Sequence, residues 1–490
     1  MKKNSNHSLL KVLIFSVLFQ LIIANTSIAQ TKADKINELL SLYSKYDQFT
    51  GTALVTENSQ IIYKKGFGLA NMEWKIPNQP NTKFRLGSIT KQFTALSILQ
   101  LAEQGKLKLD VPISTYLPDY SKTNGDKITI HQLLTHTAGI PNYTSFPNFF
   151  PDISRNPYAP EVFIKTFADL PLQFKPGEKF TYSNSGYFVL GYIIEKITGK
   201  TYEQYLQENI FTPLKMINSG YDHHSDILEN RATGYERNGK TYVNSRYIDM
   251  SLPYAAGSLY STVEDLYLWD QALYSEKLLS AKYRDLLFGK YIPAGPPSYY
   301  GYGWSIEDIN IGKSDEKVQI VEHGGGINGF NTLITRIPLS KDLIVLLNNT
   351  GGANLNEMCR AIRAILYDKP YDMPKRSSAY AFLDAIKSQG LEAGLAKLKE
   401  LNKSNEYVIK ENEMNSAGYQ LLKSGKTKEA IAVFKINVDT FPKSGNVYDS
   451  LGEAYLKDGD KKLAIINYKK SLQFNPKNEN AKKVLEEISK

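Results

Sequence analysis

Strand-like sequence gathers at the two ends of one long region of this chain and is nearly absent from its middle, a distribution that restricts the folds open to it. Near the start, Gly51-Thr-Ala-Leu-Val-Thr-Glu57 and Ile61-Ile-Tyr-Lys-Lys65 read as two strands joined through Asn58-Ser59, an antiparallel hairpin. Strand signals return at Lys317–Val321, Asn331–Thr335 and Leu343–Leu347, before a helix over about Asn354–Tyr367. Helices and loops rich in Tyr and Pro fill the space between. A sheet assembled from such distant pieces is antiparallel and flanked by helices, an α+β arrangement, because the strand-then-helix alternation of a parallel sheet is missing.

Asp368-Lys-Pro-Tyr-Asp-Met-Pro-Lys375 reads as a linker, and the sequence beyond it repeats. At an offset of 34, Gly418 pairs with Gly452, Leu422 with Leu456, Ala430 with Ala464, Phe434 with Tyr468 and Pro442 with Pro476. This period, with small residues where helices cross and a closing proline, resembles the tetratricopeptide repeat, a helical hairpin that buries its apolar face on its neighbours. Two repeats are few for such an array, so Ala379–Leu401 is expected to add a degenerate helical pair and Glu479–Ile488 a capping helix. The expected units are therefore a domain over residues 30–370 and an all-α domain over 371–490, the latter a docking element or a binding site for a protein or peptide partner.

Residues 1–29 carry Lys2 and Lys3, an apolar run from Val12 to Ala24 and small residues at Ser27-Ile-Ala29, the pattern of a removable secretory signal cut after Ala29. That implies a periplasmic or secreted protein, with no span once the signal is gone. The lone cysteine, Cys359, excludes an intramolecular disulfide and reads as a small core residue. Of the formal charge of +9, three positive charges belong to the signal, and residues 371–490 hold 21 basic against 16 acidic side chains. The excess is interleaved with acids along helical sequence, which argues for a solvated helix surface and against a nucleic-acid partner.

Chemistry points to Ser88-Ile-Thr-Lys91. The pattern Ser-x-x-Lys occurs three times, against roughly two expected by chance at ordinary residue usage, so context must separate them. Ser8–Lys11 lies in the signal and Ser314–Lys317 in a polar loop, whereas Ser88 follows Gly87 and heads an expected amphipathic helix running to about Gly105. On that helix Ser88 and Lys91 share a face one turn apart, placing an amine beside a hydroxyl that needs activation. Downstream, Tyr182-Ser-Asn184 offers a phenol whose pKa could fall beside the Lys91 cation so that it acts as a general base. Tyr242-Val-Asn244 has the same spacing but follows the turn Asn238-Gly239 in a strand-like segment and is the weaker candidate. His323-Gly-Gly-Gly326 follows the strand Lys317–Val321, where glycines let a substrate approach a strand edge and where the N–H groups of Gly326 and Ser88 could meet a developing oxyanion.

Taken in that order, Gly87-Ser88-Ile-Thr-Lys91, Tyr182-Ser-Asn184 and His323-Gly-Gly325 resemble the three motifs of the serine β-lactamase-related hydrolases, which include class C β-lactamases, D-alanyl-D-alanine carboxypeptidases, family VIII esterases and D-aminopeptidases. Leu133-Leu-Thr-His-Thr-Ala-Gly139, Asn230–Tyr235 and Ala255–Asp265 are further similar stretches, and the likeness covers about residues 35–368. It implies an acyl-enzyme in which Ser88 attacks a carbonyl, Lys91 and Tyr182 shuttle the proton, and Asn184, His323 and Gly325 orient substrate. Water then frees the acid, with no metal or organic cofactor.

Rival patterns are thinner. His131 and His136 lack the Glu of a zinc helix, His223-His224 has no partner at ligand spacing, and no Gly-x-Ser-x-Gly elbow or phosphate-binding Gly-rich loop occurs. Lys-Ser-Gly at Lys423–Gly425 and Lys443–Gly445 belongs to turns of the repeats. Tyr143, Tyr254 and Tyr302 either line a cleft or pack the scaffold. His323 stands where most class C β-lactamases have lysine, and a neutral imidazole attracts the carboxylate of a β-lactam less than an ammonium does. The expected substrates are esters, amides or peptides, with a D-Ala-directed peptidase or weak penicillin-binding enzyme as the alternative, and a repeat scaffold carrying an inactive hydrolase as a third.

Overall fold

The computed structural model describes residues 30–121 and 123–488; the expected signal segment lies outside them. Eight strands form one antiparallel sheet: β1 (Gly51–Glu57), β2 (Gln60–Phe67), β3 (Ile292–Pro293), β4 (Ser298–Tyr300), β5 (Ser305–Asn310), β6 (Lys317–Ile327), β7 (Phe330–Ile337) and β8 (Asp342–Asn348). Their spatial order is β3-β4-β5-β6-β7-β8-β1-β2, so the early hairpin closes against the last strand, with Leu54 opposite Val345. The sheet is thus antiparallel and joined from both ends of the region, as its strand distribution requires. Sequence reading missed β3 to β5, which are short or carry mixed polar and aromatic side chains.

Side chains alternate across the sheet. On β8, Leu343, Val345 and Leu347 join the larger core, while Ile344 and Leu346 face the smaller one. The smaller core is covered by α1 (Lys32–Lys45), through Ile36, Leu39 and Leu40, and by a helix over Leu355–Leu366. Cys359 is buried there. On the opposite face lies α2 (Thr90–Glu103), buried from Thr90 through Ala102. It is an interior helix, not the amphipathic one expected. Most of its polar groups find partners inside, Gln92 Nε2 being an exception: Thr94 Oγ1 donates to Ala255 O at 2.7 Å, and Trp269 Nε1 donates to Gln92 Oε1 at 3.0 Å. A helix that is enclosed on all sides holds its side chains in fixed positions, which matters for Lys91.

Beyond the linker, helices Glu411–Lys423 and Gly445–Asp458 begin 34 residues apart, as do Thr427–Thr440 and Lys461–Phe474. The expected pair appears as Ala379–Gln389 and Leu391–Leu401, and the last helix spans Glu479–Ile488. The small residues mark helix crossings, since a Cβ on Gly418 would meet the Phe434 ring at 2.4 Å and one on Gly452 the Tyr468 ring at 3.2 Å. This part is mostly helical and not all-α as expected, since Arg376–Ser377 and Tyr407–Val408 pair as two short parallel strands. It touches the hairpin Tyr235–Asn238/Thr241–Asn244, where Lys240 pairs with Asp384 and the Arg237 guanidinium lies 5.3 Å from the centre of the Tyr380 ring. Tyr242 therefore belongs to that hairpin, its hydroxyl donating to Asp47 O at 3.3 Å. Among the described residues no helix is long and apolar enough to cross a membrane.

One buried ion pair ties the helical layer to the sheet. Arg336 of β7 donates from Nε to Asp270 Oδ1 at 2.5 Å, both side chains being at most 2 % exposed, with Tyr274, Phe288 and Trp304 around the guanidinium. Removing one partner strands the other charge in an apolar cage. Asp270→Asn is expected to cost about 3–5 kcal/mol, read as a lowered midpoint of chemical unfolding. Replacing both residues with apolar ones of similar volume is expected to recover most of that loss.

Candidate active site

Leu86 is clamped between two parts of the larger layer, and this sets the position of Ser88. Its N–H donates to Leu259 O at 2.8 Å, and its carbonyl accepts from Thr332 Oγ1 of β7 at 2.7 Å. That carbonyl packs directly on β6: a Cβ at Gly325 would sit 1.9 Å from it. Gly87 then turns the chain with φ +56°, and a Cβ there would lie 2.9 Å from the Gly326 nitrogen. Both glycines are needed, one for a close backbone approach and one also for its dihedral. Ser88 follows in a 3₁₀ turn, Gly87–Ile89, that leads into α2.

His323–Gly326 are part of β6 itself, a longer strand than the sequence suggested. Pairing with β5 stops at Glu322 opposite Ser305, while pairing with β7 continues to Ile327. The last turn of β6 therefore has one free edge beside Ser88, and the space on the Cα of Gly326 is open. Next to it lies a cavity of about 110 Å³ lined by Ser88, Tyr143, Phe149, Phe150, Ile248 and Ile327 among others, with no charged side chain. Of the three tyrosines in question, Tyr143 reaches this cavity, whereas Tyr302 bonds His131 Nδ1 at 2.7 Å and Tyr254 packs against Phe188.

Lys91 is fully buried, and its Nζ has three oxygen neighbours: Asn184 Oδ1 at 2.8 Å, Ala256 O at 2.8 Å and Ser88 Oγ at 3.1 Å. Burial pushes its pKa well below the ordinary lysine value. In the neutral amine, the two N–H bonds are committed to Asn184 and Ala256, which only accept, so the lone pair is left for the Ser88 hydroxyl. Asn184 opens a helix over Asn184–Thr198, and its own N–H donates to Asn142 Oδ1 at 3.1 Å.

Tyr182 stands against this group, its ring centre 4.8 Å from Lys91 Nζ. Burial raises its pKa, and the neighbouring Ser88 hydroxyl offsets only part of the rise. This reverses the expected direction. The cation that was to lower the phenol is itself disfavoured by the same desolvation, so Tyr182 stays protonated.

His323 also differs from expectation. Its Nε2 meets Tyr300 Oη at 3.0 Å and its Nδ1 meets Gly324 O at 2.6 Å, so both ring nitrogens are spent inside the protein and neither is free for substrate. Burial holds its pKa down to about 4. The structure brings together Ser88, Lys91, Tyr182, Asn184 and the backbone of Gly326, with Gly325 as a packing position and His323 behind them. Sequence reading passed over the Ala256 carbonyl, Thr332 and Tyr300, and weighed His136 only as a metal ligand. Two of these sit in the similar stretches Leu133–Gly139 and Ala255–Asp265, which carried the only signal for them. His223 and His224 do not line this cavity; they bond to Glu203 and to Ile248 O.

Residues 36–367 match the family model described as Beta-lactamase. The "Putative penicillin-binding protein PbpX" of Bacillus subtilis is 33 % identical over 344 residues, covering 70 % of this chain and 82 % of that protein. A penicillin binding protein from Bacillus halodurans has a solved structure with a TM-score of 0.59 at 29 % identity, over 67 % of this chain and 99 % of that one. A D-stereospecific amidohydrolase from Streptomyces sp. superimposes with a TM-score of 0.54 at 25 % identity, over 63 % of this chain and 92 % of its own. With its antiparallel sheet flanked by helices and its buried lysine beside Ser88, this chain belongs to the beta-lactamase family of serine hydrolases.

Proposed function

We propose that the protein is a secreted or periplasmic hydrolase that cleaves esters or amides and peptides through an acyl-enzyme on Ser88. One observation carries the reading: a buried Lys91 whose two donors are occupied and whose third direction faces the Ser88 hydroxyl. Lys91 takes the Ser88 proton as Oγ attacks the carbonyl carbon. The oxyanion forms between the N–H groups of Ser88 and Gly326, on the free edge of β6. As the intermediate collapses, Tyr182 gives its proton to the leaving group and regains one from the Lys91 ammonium. Water enters by the reverse relay and releases the acid.

A D-Ala-directed peptidase or penicillin-binding activity is the second reading, supported by the relatives named as penicillin-binding proteins. The uncharged cavity and the neutral, fully bonded His323 favour esters and neutral amides over substrates held by a carboxylate. The intact Ser88–Lys91–Asn184 geometry also weighs against an inactive scaffold. For the C-terminal helices we favour tetratricopeptide-type hairpins that dock on the hydrolase through Lys240, Arg237 and Lys410, with their remaining surface open to a peptide.

A panel of short-chain esters, a chromogenic cephalosporin, D-Ala-D-Ala peptides and D-amino-acid amides tests the substrate assignment. Wild type is expected to turn over the esters best, and Ser88→Ala to lower kcat by at least about 10⁴-fold; inactivity of wild type toward the whole panel would defeat the enzyme reading. Lys91 works as a base only when neutral, so kcat/KM is expected to fall with acidification through a pKa well below the ordinary lysine value and to hold steady above it. Lys91→Gln is expected to remove that limb along with about 10²–10⁴ of the rate.

A further inference from the structure

His136 takes no part in the steps above, yet it is built into the back of the site at some cost. It lies 2 % exposed just past the short helix Ile130–Leu134, in the left-handed region at φ +57°, which a residue with a Cβ seldom adopts. Its Nδ1 accepts from Ser183 N at 3.2 Å, the amide between Tyr182 and Asn184. Its ring lies 4.3 Å from that of Tyr182, tilted by 35°. Its Nε2 meets Tyr300 Oη at 3.2 Å, and the same hydroxyl meets His323 Nε2 at 3.0 Å.

The fixed ends of this chain decide every proton in it. Ser183 N–H only donates, so Nδ1 of His136 is bare and its hydrogen sits on Nε2. That hydrogen points at Tyr300 Oη, whose own hydrogen is left for His323 Nε2. Gly324 O only accepts, so His323 carries its hydrogen on Nδ1. Each ring has one tautomer and one orientation, and the chain joins β4 and β6 to the start of the Asn184–Thr198 helix.

We propose that His136 is a positioning residue for the reaction, holding the Ser183 amide and the Tyr182 phenol in register with Ser88, and that Tyr300 and His323 exist to fix its ring. The proposal rests on the roles given to Tyr182 and Asn184. It fits histidine at 323, whose rigid ring accepts from Tyr300 on one nitrogen while donating to Gly324 O from the other; a lysine ammonium carries no lone pair to accept with.

The test exploits the leaving group. A p-nitrophenyl ester departs without a proton, whereas an ethyl ester with the same acyl group needs one from Tyr182. His136→Ala is expected to lower kcat/KM, which reports acylation alone, by about 10²-fold for the ethyl ester and by less than about tenfold for the nitrophenyl ester. His136→Asn, which tolerates the left-handed backbone and keeps an acceptor for Ser183, is expected to recover part of the loss. Tyr300→Phe deletes one hydroxyl without touching the backbone, and is expected to shift the two substrates apart in the same direction. It decides the matter if His136→Ala fails to fold. Equal losses on both esters, or no change with Tyr300→Phe, would overturn the proposal. Fluorophosphonate labelling separates the two levels: a wild type that is neither labelled nor active overturns the acyl-enzyme and this inference together.

Discussion

The structure depends on keeping a lysine side chain dry. An ammonium in the interior is disfavoured by desolvation, and a neutral amine there must still satisfy its two N–H bonds. Asn184 and the Ala256 carbonyl meet that demand from two elements distant in sequence. Because both partners only accept, what remains of Lys91 is a lone pair with a fixed direction, and Ser88 occupies that direction. An exposed lysine at the same spacing would be a hydrated cation and no base at neutral pH. The enclosure of α2 on all sides is what makes the difference.

The same enclosure governs the groups around it. Tyr182 and His323 are both driven to their neutral forms by burial, so the site behind Ser88 holds no permanent charge. A neutral network has to be wired by hydrogen bonds alone, and the tautomers of His136 and His323 follow from the one-way partners at its ends. Access comes from the other side, where β6 outruns β5 and leaves an edge unpaired. Gly325 and Gly87 allow that edge and the Ser88 turn to touch through backbone atoms, a contact that any side chain would block.

Much of the frame was legible in the sequence. The strands at 51–57 and 343–347 were legible as short apolar runs bounded by turn residues, and both faces of each are buried. The helices at 411–474 followed from the 34-residue period, and those at 379–401 and 479–488 from the need of two repeats for neighbours. The strands over 292–310 were not legible, since their side chains are polar or aromatic without clear alternation. Nor was the nature of α2, which was expected to be amphipathic; only the packed structure shows it buried from Thr90 through Ala102, polar side chains included.

For the site, the sequence by itself determined which atoms are present: a serine and a lysine one turn apart, a phenol and an amide flanking Ser183, and glycines at the strand edge. It set the local spacing that lets Ser88 and Lys91 meet. Protonation and direction were decided only by the tertiary structure. Whether Lys91 is a cation or a base, whether Tyr182 gives or takes a proton, and whether His323 faces substrate or the interior all depend on burial and on partners up to 165 residues away. Desolvation is a property of the assembled fold, and no tetrapeptide encodes it.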